Sequence, residues 1–202
     1  MTTPSSDLDV YVLSADSNHY DNLRFATEAD IDRSLDGFGG EPMAAGWEPI
    51  RVEVHPPEFP VGPDTTTDFP GLGGVTVFNA RAAEALSDLL EGRGELLALE
   101  VEGGGDPYRE LYAFNVTRLS DALDEQRSEL IHFDDGERIM DVERFAFDPG
   151  KLVGETVFKL EQMPNWYVFV TGALVRRVEE AGLRGFSFDR RVWSPTESAS
   201  AA

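Results

Sequence analysis

The pattern of apolar and polar positions predicts a strand, a helix and a second strand between residues 74 and 101. The apolar, β-branched run 74–78 is typical of a strand, and Asn79 follows it as a helix N-cap. Alanine and leucine then recur at helical spacing until Gly92, a residue typical of a helix end. Residues 97–101 alternate apolar and polar side chains, which predicts the second strand.

The same order of elements recurs near the C-terminus. The run 166–170 is largely apolar, Thr171 stands at the cap position, and apolar residues share one helical face as far as Ala181. Gly182 ends this helix, and apolar side chains alternate along 186–188. These two units are expected to supply most of the helix in the protein.

Other apolar segments predict strands. They cover residues 10–13, 50–54, 108–116, 130–133, 138–142 and 158–160. Asp135-Gly136, between the fourth and the fifth of these segments, is typical of a tight hairpin turn. We therefore predict an α+β fold, with a mixed, largely antiparallel sheet of about eight or nine strands and two main helices in strand–helix–strand units.

The chain shows no linker that would divide it, so a single domain is expected over residues 8–194. The small and polar ends, residues 1–7 and 195–202, are expected to be flexible tails. A proline-rich connection at 56–63 has too few backbone donors for a central strand. A rigid surface segment over the sheet is the expected structure, and a functional loop, as connections of this length often are, is the alternative.

Charge is the strongest compositional signal. The chain carries 38 acidic and 17 basic side chains, which gives a formal net charge of −21. Such a field repels nucleic acid and anionic lipid and attracts basic proteins, so nucleic-acid and membrane partners are disfavoured. Three explanations of the acidity stay open, namely a solubility or high-salt adaptation, a basic protein partner, and a cation site.

Cysteine is absent, so no disulfide and no Cys-ligated metal site can form, which fits a reducing cytoplasm. The first residues lack the basic flank and apolar stretch of a secretory signal. No apolar run reaches the roughly 18 residues of a membrane-spanning helix. A cytoplasmic protein is therefore expected.

Two groups of histidine and carboxylate are the candidates for chemistry. His132 and Asp134 lie at the predicted hairpin tip, where a general base is one interpretation and ordinary turn geometry is another. His19 lies between Asp16 and Asp21, a set that offers imidazole and oxygen ligands to a cation, although a solvated polar loop has the same composition. The chain has no serine elbow, cysteine nucleophile or phosphate-binding glycine loop, so neither a cofactor nor catalysis is expected.

An ordered set of short motifs spans nearly the whole chain. The set comprises Tyr11-Val12-Leu13, Trp47 with Pro49, Asp68-Phe69-Pro70, Val77-Phe78-Asn79, Glu100-Val101, Tyr112-Ala113-Phe114-Asn115-Val116, Val157-Phe158-Lys159-Leu160 and Gly182-Leu183-Arg184-Gly185-Phe186. Each motif alone is unspecific, and their order and spacing carry the match. The chain resembles the immunity-protein domain family of bacterial polymorphic toxin systems, a myxobacterial-type domain formerly classed as a domain of unknown function.

This resemblance implies an antitoxin that neutralises a cognate toxin by binding it, without catalysis and without a cofactor. The positions that match the family pattern are expected to be structural, and they are Trp47, Asp68, Phe69, Gly182, Gly185 and Phe186. A basic toxin would complement the acidic chain. The residues expected to contact it are Asp134, Asp135, Glu137 and Asp141. A metal-dependent hydrolase built on either histidine group and an acidic scaffold or regulatory subunit are the alternatives.

Overall fold

The structure, a computed structural model, describes residues 7–35, 37–134, 136 and 138–189. Its strands are β1 (Val10–Ala15), β2 (Asn22–Phe25), β3 (Ile50–His55), β4 (Val77–Asn79), β5 (Gly94–Glu102), β6 (Leu111–Val116), β7 (Leu119–Ser120), β8 (Glu129–His132), β9 (Ile139–Arg144), β10 (Val157–Leu160), β11 (Phe169–Thr171) and β12 (Phe186–Asp189). Its α-helices are α1 (Glu28–Leu35), α2 (Ala80–Ala85), α3 (Ser87–Leu90) and α4 (Gly172–Glu180), and a 3₁₀ helix spans Ala44–Gly46.

The strands form two five-stranded sheets and a two-stranded ribbon. The first sheet has the order β12-β1-β11-β10-β7, and the second has the order β2-β3-β5-β6-β4. Paired strands are antiparallel except β7 with β10 and β3 with β5, which run parallel. The predicted α+β class with mixed, largely antiparallel pairing is confirmed, and the structure divides the strands between two sheets.

Each strand–helix–strand unit is split by a strand from elsewhere in the chain. β4 and β5 flank α2 and α3, and both pair antiparallel with β6, which lies between them. β11 and β12 flank α4, and both pair antiparallel with β1 in the same way. The two flanking strands of each unit are therefore parallel to each other, and each sheet contains one unit.

A central core holds the two units together. It contains buried side chains from both sheets and from α2, α3 and α4. Side chains of β1 alternate, so Tyr11 belongs to this central core and Val12 to a second core on the opposite face of the first sheet. A third core contains buried side chains of the second sheet, including Ile50 of β3 and Leu97 of β5. The first sheet is thus covered on both faces.

The two predicted helix caps behave differently. Asn79 caps α2 as predicted, because its side-chain oxygen accepts a hydrogen bond from the amide of Ala82 at 2.9 Å. Thr171 occupies the N-cap position of α4, but its hydroxyl donates to the carbonyl of Glu155 at 3.0 Å. Thr171 is fully buried beneath the segment that leads into β10, so this tertiary hydrogen bond replaces the local one.

Candidate functional site

Five of the six family-motif residues lie together where the two units meet. The rings of Phe69 and Phe186 stack with centroids 4.6 Å apart, and Phe78 from β4 lies against both. Asp68 precedes the first of these rings, and Gly182 and Gly185 precede the second. The strand–helix–strand units therefore contact each other through two short segments, 68–69 and 182–186, which are more than a hundred residues apart in the chain.

The Asp68 carboxylate is the polar centre of this junction. It is 5% exposed and accepts hydrogen bonds from Asn79 Nδ2 at 3.0 Å, from Arg81 Nη1 at 2.6 Å and from the amide of Arg184 at 2.9 Å. Arg81 also donates to the carbonyl of Ala181, the C-cap residue of α4, at 2.6 Å. One carboxylate thus connects the first turn of α2 with the end of α4, where a cation is electrostatically favoured.

Gly185 lies at the tightest approach in the junction. Its φ is +85°, and a Cβ built on it would collide with the hydroxyl of Thr67. That hydroxyl donates to the carbonyl of Arg184 at 2.9 Å and accepts from the amide of Phe69 at 3.0 Å. Thr67 therefore has no freedom to move away, and both the backbone conformation and the space require glycine.

A buried hydroxyl–carboxylate chain continues from Thr67. The hydroxyl of Tyr108 accepts from the amide of Thr67 at 3.0 Å and donates to Asp21 at 2.9 Å. The hydroxyl of Thr65 donates to the other oxygen of Asp21 at 2.6 Å. Burial, together with the Asp21 carboxylate, raises the pKa of Tyr108 above its ordinary value, so the phenol keeps its proton.

This chain separates Asp21 from the candidate histidine group. His19 Nδ1 lies 2.8 Å from Asp16 in an exposed pair, while Asp21 is turned inward to Tyr108. His132 lies at the exposed end of β8. Within the described ranges of the chain, no three histidine, cysteine, aspartate or glutamate side chains come together as metal ligands.

The predicted hairpin is confirmed as the ribbon of β8 and β9. These strands pair antiparallel, and Gly136 at their turn has a φ of +70°. The pairing slips between Glu129 and Leu130, which produces a bulge in β9. Leu130, Ile139 and Val142 pack into the second core, so the base of the ribbon is fixed to the first sheet.

The ribbon carries the acidic residues expected to bind a partner. Asp134 is exposed near the tip and Asp141 is half-buried on β9, whereas Asp135 and Glu137 lie outside the described residues. Phe133 is exposed beside Asp134, and the guanidinium of Arg138 lies 4.9 Å above its ring. The tip therefore presents an aromatic side chain next to a carboxylate.

A cleft of about 710 Å³ is lined by β1, by residues 71–76 and by residues 165–168. Lys159 contributes a buried ammonium to it, which donates to the carbonyls of Phe38 and Pro164. Burial lowers the pKa of Lys159 to about 8. No role for Lys159 is evident from the sequence, although a lysine inside an apolar strand is itself a signal of a buried polar contact. None of the three histidines lines this cleft.

Trp47 lies apart from the other family-motif residues. Its indole Nε1 donates to the carbonyl of Ala98 in β5 at 2.8 Å, and its ring meets Phe38 edge-on with centroids 6.2 Å apart. The ring packs against the third core. Trp47 thus covers part of the second sheet.

A family model described as Immunity protein family (Imm11) matches residues 16–192, a range that includes both units, the ribbon and all six motif residues. No curated protein matches the chain significantly. Among the described residues, no helix has the length and apolar character needed to cross a membrane. The chain belongs to the immunity protein family (Imm11).

Proposed function

We propose that this protein binds a cognate toxin and neutralises it by covering the surface that the toxin needs for its activity. The observation that carries this proposal is the family match over residues 16–192. The protein acts in the cytoplasm of the cell that produces the toxin. It acts as a binding partner rather than as a catalyst, and it uses no cofactor.

The toxin is a basic protein in this proposal. The net charge of −21 favours association with a cationic surface and disfavours nucleic acid. Asp134 and Asp141 on the ribbon, together with Asp135 and Glu137, supply carboxylates to the contact. Phe133 is the aromatic neighbour that such a contact would bury.

The family-motif residues have a structural role in this proposal. Asp68, Phe69, Gly182, Gly185 and Phe186 hold the two units together through the contacts described above. Positions that hold the fold together are compatible with different toxins, because contact residues on the surface can vary without disturbing them. Trp47 has the same role at the second sheet.

Co-expression with the toxin encoded by the neighbouring gene tests the proposal. Cells that express the toxin are expected to survive when this protein is produced and to die without it, and the purified pair is expected to form a 1:1 complex. A toxic neighbour that kills cells despite full production of this protein would refute the proposal.

Asp134→Asn with Asp141→Asn tests the ribbon contact in the same cells. The control pair Glu84→Gln with Glu91→Gln removes the same charge from exposed positions around α2 and α3. The ribbon pair is expected to weaken rescue and complex formation, whereas the control pair leaves both unchanged. Equal rescue by both pairs would remove the ribbon from the contact without affecting the proposed function.

A further inference from the structure

We infer that residues 58–64, here called the strap, form the hydrophobic anchor that docks this protein onto the toxin. The inference rests on the proposed function and locates the centre of its contact. It commits to one kind of occupant, a basic protein surface with an apolar recess.

All seven residues of the strap are exposed, and two of them carry large apolar side chains. Its sequence is Glu58-Phe59-Pro60-Val61-Gly62-Pro63-Asp64, and each of these residues is exposed. Phe59 is 60% exposed and Val61 is 80% exposed. Burying apolar side chains of this size against a partner removes them from water, so neighbouring exposed apolar groups are typical of a binding site.

Contacts at both ends hold the strap in place. At its start, the amide of Phe59 donates to the carbonyl of Asn18 at 3.0 Å, and Pro57 is buried. At its end, Asp64 forms an ion pair with Arg184 at 2.6 Å, and Arg184 also donates to the Asp64 carbonyl at 2.9 Å. Pro60 and Pro63 fix φ between these ends, so little conformational entropy is lost on binding.

The same arginine connects the strap to the junction of the two units. The Arg184 guanidinium lies 5.3 Å from the ring of Tyr20, and its amide donates to the Asp68 carboxylate. The strap is thus attached to the junction of the two units.

Charge around the strap decides what kind of protein it fits. Glu58 and Asp64 bracket the apolar residues, and Asp16 lies in the loop that contacts Phe59 through Asn18. Asp64 is paired with Arg184 and Asp16 lies 2.8 Å from His19, so Glu58 is the carboxylate of this rim that has no ion pair among the described residues. An apolar centre with a charged rim is the usual anatomy of a protein interface, and an acidic rim fits a cationic partner.

A second copy of this chain is the less suitable occupant. Two molecules with a net charge of −21 repel each other, and the strap would bring two acidic rims together. The strap is also too small to be a whole interface, because a stable contact buries about 800 Å² on each partner. It is therefore the anchor of a larger contact with a protein of opposite charge.

Val61→Ser tests the inference, and Val153→Ser is the matched control. Val153 is 74% exposed in the turn before β10, so both changes replace an exposed valine in a loop. The dissociation constant is measured with the purified toxin encoded by the neighbouring gene. Val61→Ser and Phe59→Ser are each expected to weaken binding by roughly tenfold or more, and Val153→Ser by less than about twofold.

Thermal unfolding of every variant shows that the fold is intact, since exposed substitutions of this kind leave stability nearly unchanged. If the unmodified protein binds the toxin and the strap variants bind equally well, the inference is wrong while the proposed function stands. If the unmodified protein neither binds nor rescues, the proposed function itself fails. Light scattering that shows a dimer of the unmodified protein and a monomer of Val61→Ser would assign the strap to self-association instead.

Discussion

Single residues in this protein are constrained chiefly by groups that are remote in sequence. Gly185 is held against Thr67, which lies more than a hundred positions earlier, and its backbone has the left-handed conformation. Lys159 donates to the carbonyl of Phe38, a comparable separation. In both cases a side chain or backbone group from another element determines which residue type the position accepts.

Gly185→Ala is expected to lower the free energy of unfolding by about 2 kcal/mol or more, because an alanine would combine the cost of positive φ with a collision against Thr67. Urea unfolding measures this. Gly46→Ala is the control, since a Cβ there meets no atom within 4 Å. The change at Gly46 is expected to stay within about 0.5 kcal/mol. Equal free energies of unfolding for the two variants would show that a Cβ at position 185 does not collide with Thr67.

Lys159 should make stability depend on pH in the alkaline range. Its pKa in the folded protein is about 8, below its ordinary value of 10.5. Between these two pH values the unfolded chain binds a proton at Lys159 that the folded chain does not. The free energy of unfolding therefore rises with pH over this range. We expect Lys159→Met to lose this rise when urea unfolding is compared at pH 7.5 and pH 10.

The matched control for that measurement is Lys151→Met. Lys151 and Lys159 are the only lysines in the chain, and Lys151 is an exposed residue paired with Asp121 at 2.7 Å. Replacing Lys151 should leave the rise in the free energy of unfolding between pH 8 and pH 10 unchanged. Parallel pH profiles for the unmodified protein and Lys159→Met would show that the buried ammonium does not carry the effect.

At the scale of elements, the two strand–helix–strand units share one plan. In each unit, a strand from outside the unit lies between the two flanking strands. This strand is β6 in the second sheet and β1 in the first. The units then meet through α2, α4 and the Asp68 carboxylate. Stability of either unit therefore depends on the contact with the other.

Asp68→Asn is expected to destabilise the protein by about 1–3 kcal/mol, because a buried amide cannot accept hydrogen bonds from Asn79, Arg81 and Arg184 at once. Urea unfolding gives the magnitude, and hydrogen exchange at the start of α2 gives the location. Asp88→Asn removes an exposed ion pair with Arg177 and should cost much less. An equal loss from both would show that the junction contributes no more than a surface pair.

At the scale of the whole molecule, acidity is the dominant property. A net charge of −21 on 202 residues makes the folded chain repel itself, and the same field attracts a cationic partner. Solubility adaptation and partner binding both remain compatible with this charge. The two explanations differ in what salt does to the free protein and to the complex.

Salt is expected to act with opposite signs on stability and on binding. Raising ionic strength from about 0.05 M to 0.5 M screens self-repulsion, so the free protein should unfold at a higher urea concentration. The same change should slow association with a basic toxin and weaken the complex. Stopped-flow association and urea unfolding in the same buffers measure both effects. Binding that is indifferent to salt would assign the acidity to solubility alone.

Local features of the fold could be predicted from sequence because they depend on neighbours a few residues away. Asn79 caps α2, and Gly92 and Gly182 adopt positive φ at the predicted helix ends. The hairpin turn at Gly136 was equally evident. The order of short motifs was sufficient to indicate the family over nearly the whole chain, and the match over 16–192 confirms it.

Candidate chemistry was harder to predict than local structure. The sequence placed Asp21 beside His19, but the structure commits Asp21 to Tyr108, a partner almost ninety positions away. Strand β2 was not indicated, because only Leu23 of its four residues is fully buried and the apolar pattern is too short to detect. Asp68 was expected to be structural, and only the structure shows its three donors.

The sequence by itself determined the fold class, the helix ends, the turns and the acidity of this protein. Periodicity, caps and charge are properties of short stretches, so they can be read without knowing the rest of the fold. Only the tertiary structure decided that β1 and β6 lie between the flanking strands of the two units. It also decided that the hydroxyl of Thr171 donates to Glu155 instead of capping α4, and that Arg184 holds the end of the strap. These outcomes depend on hydrogen bonds and packing between remote segments, which no local pattern encodes.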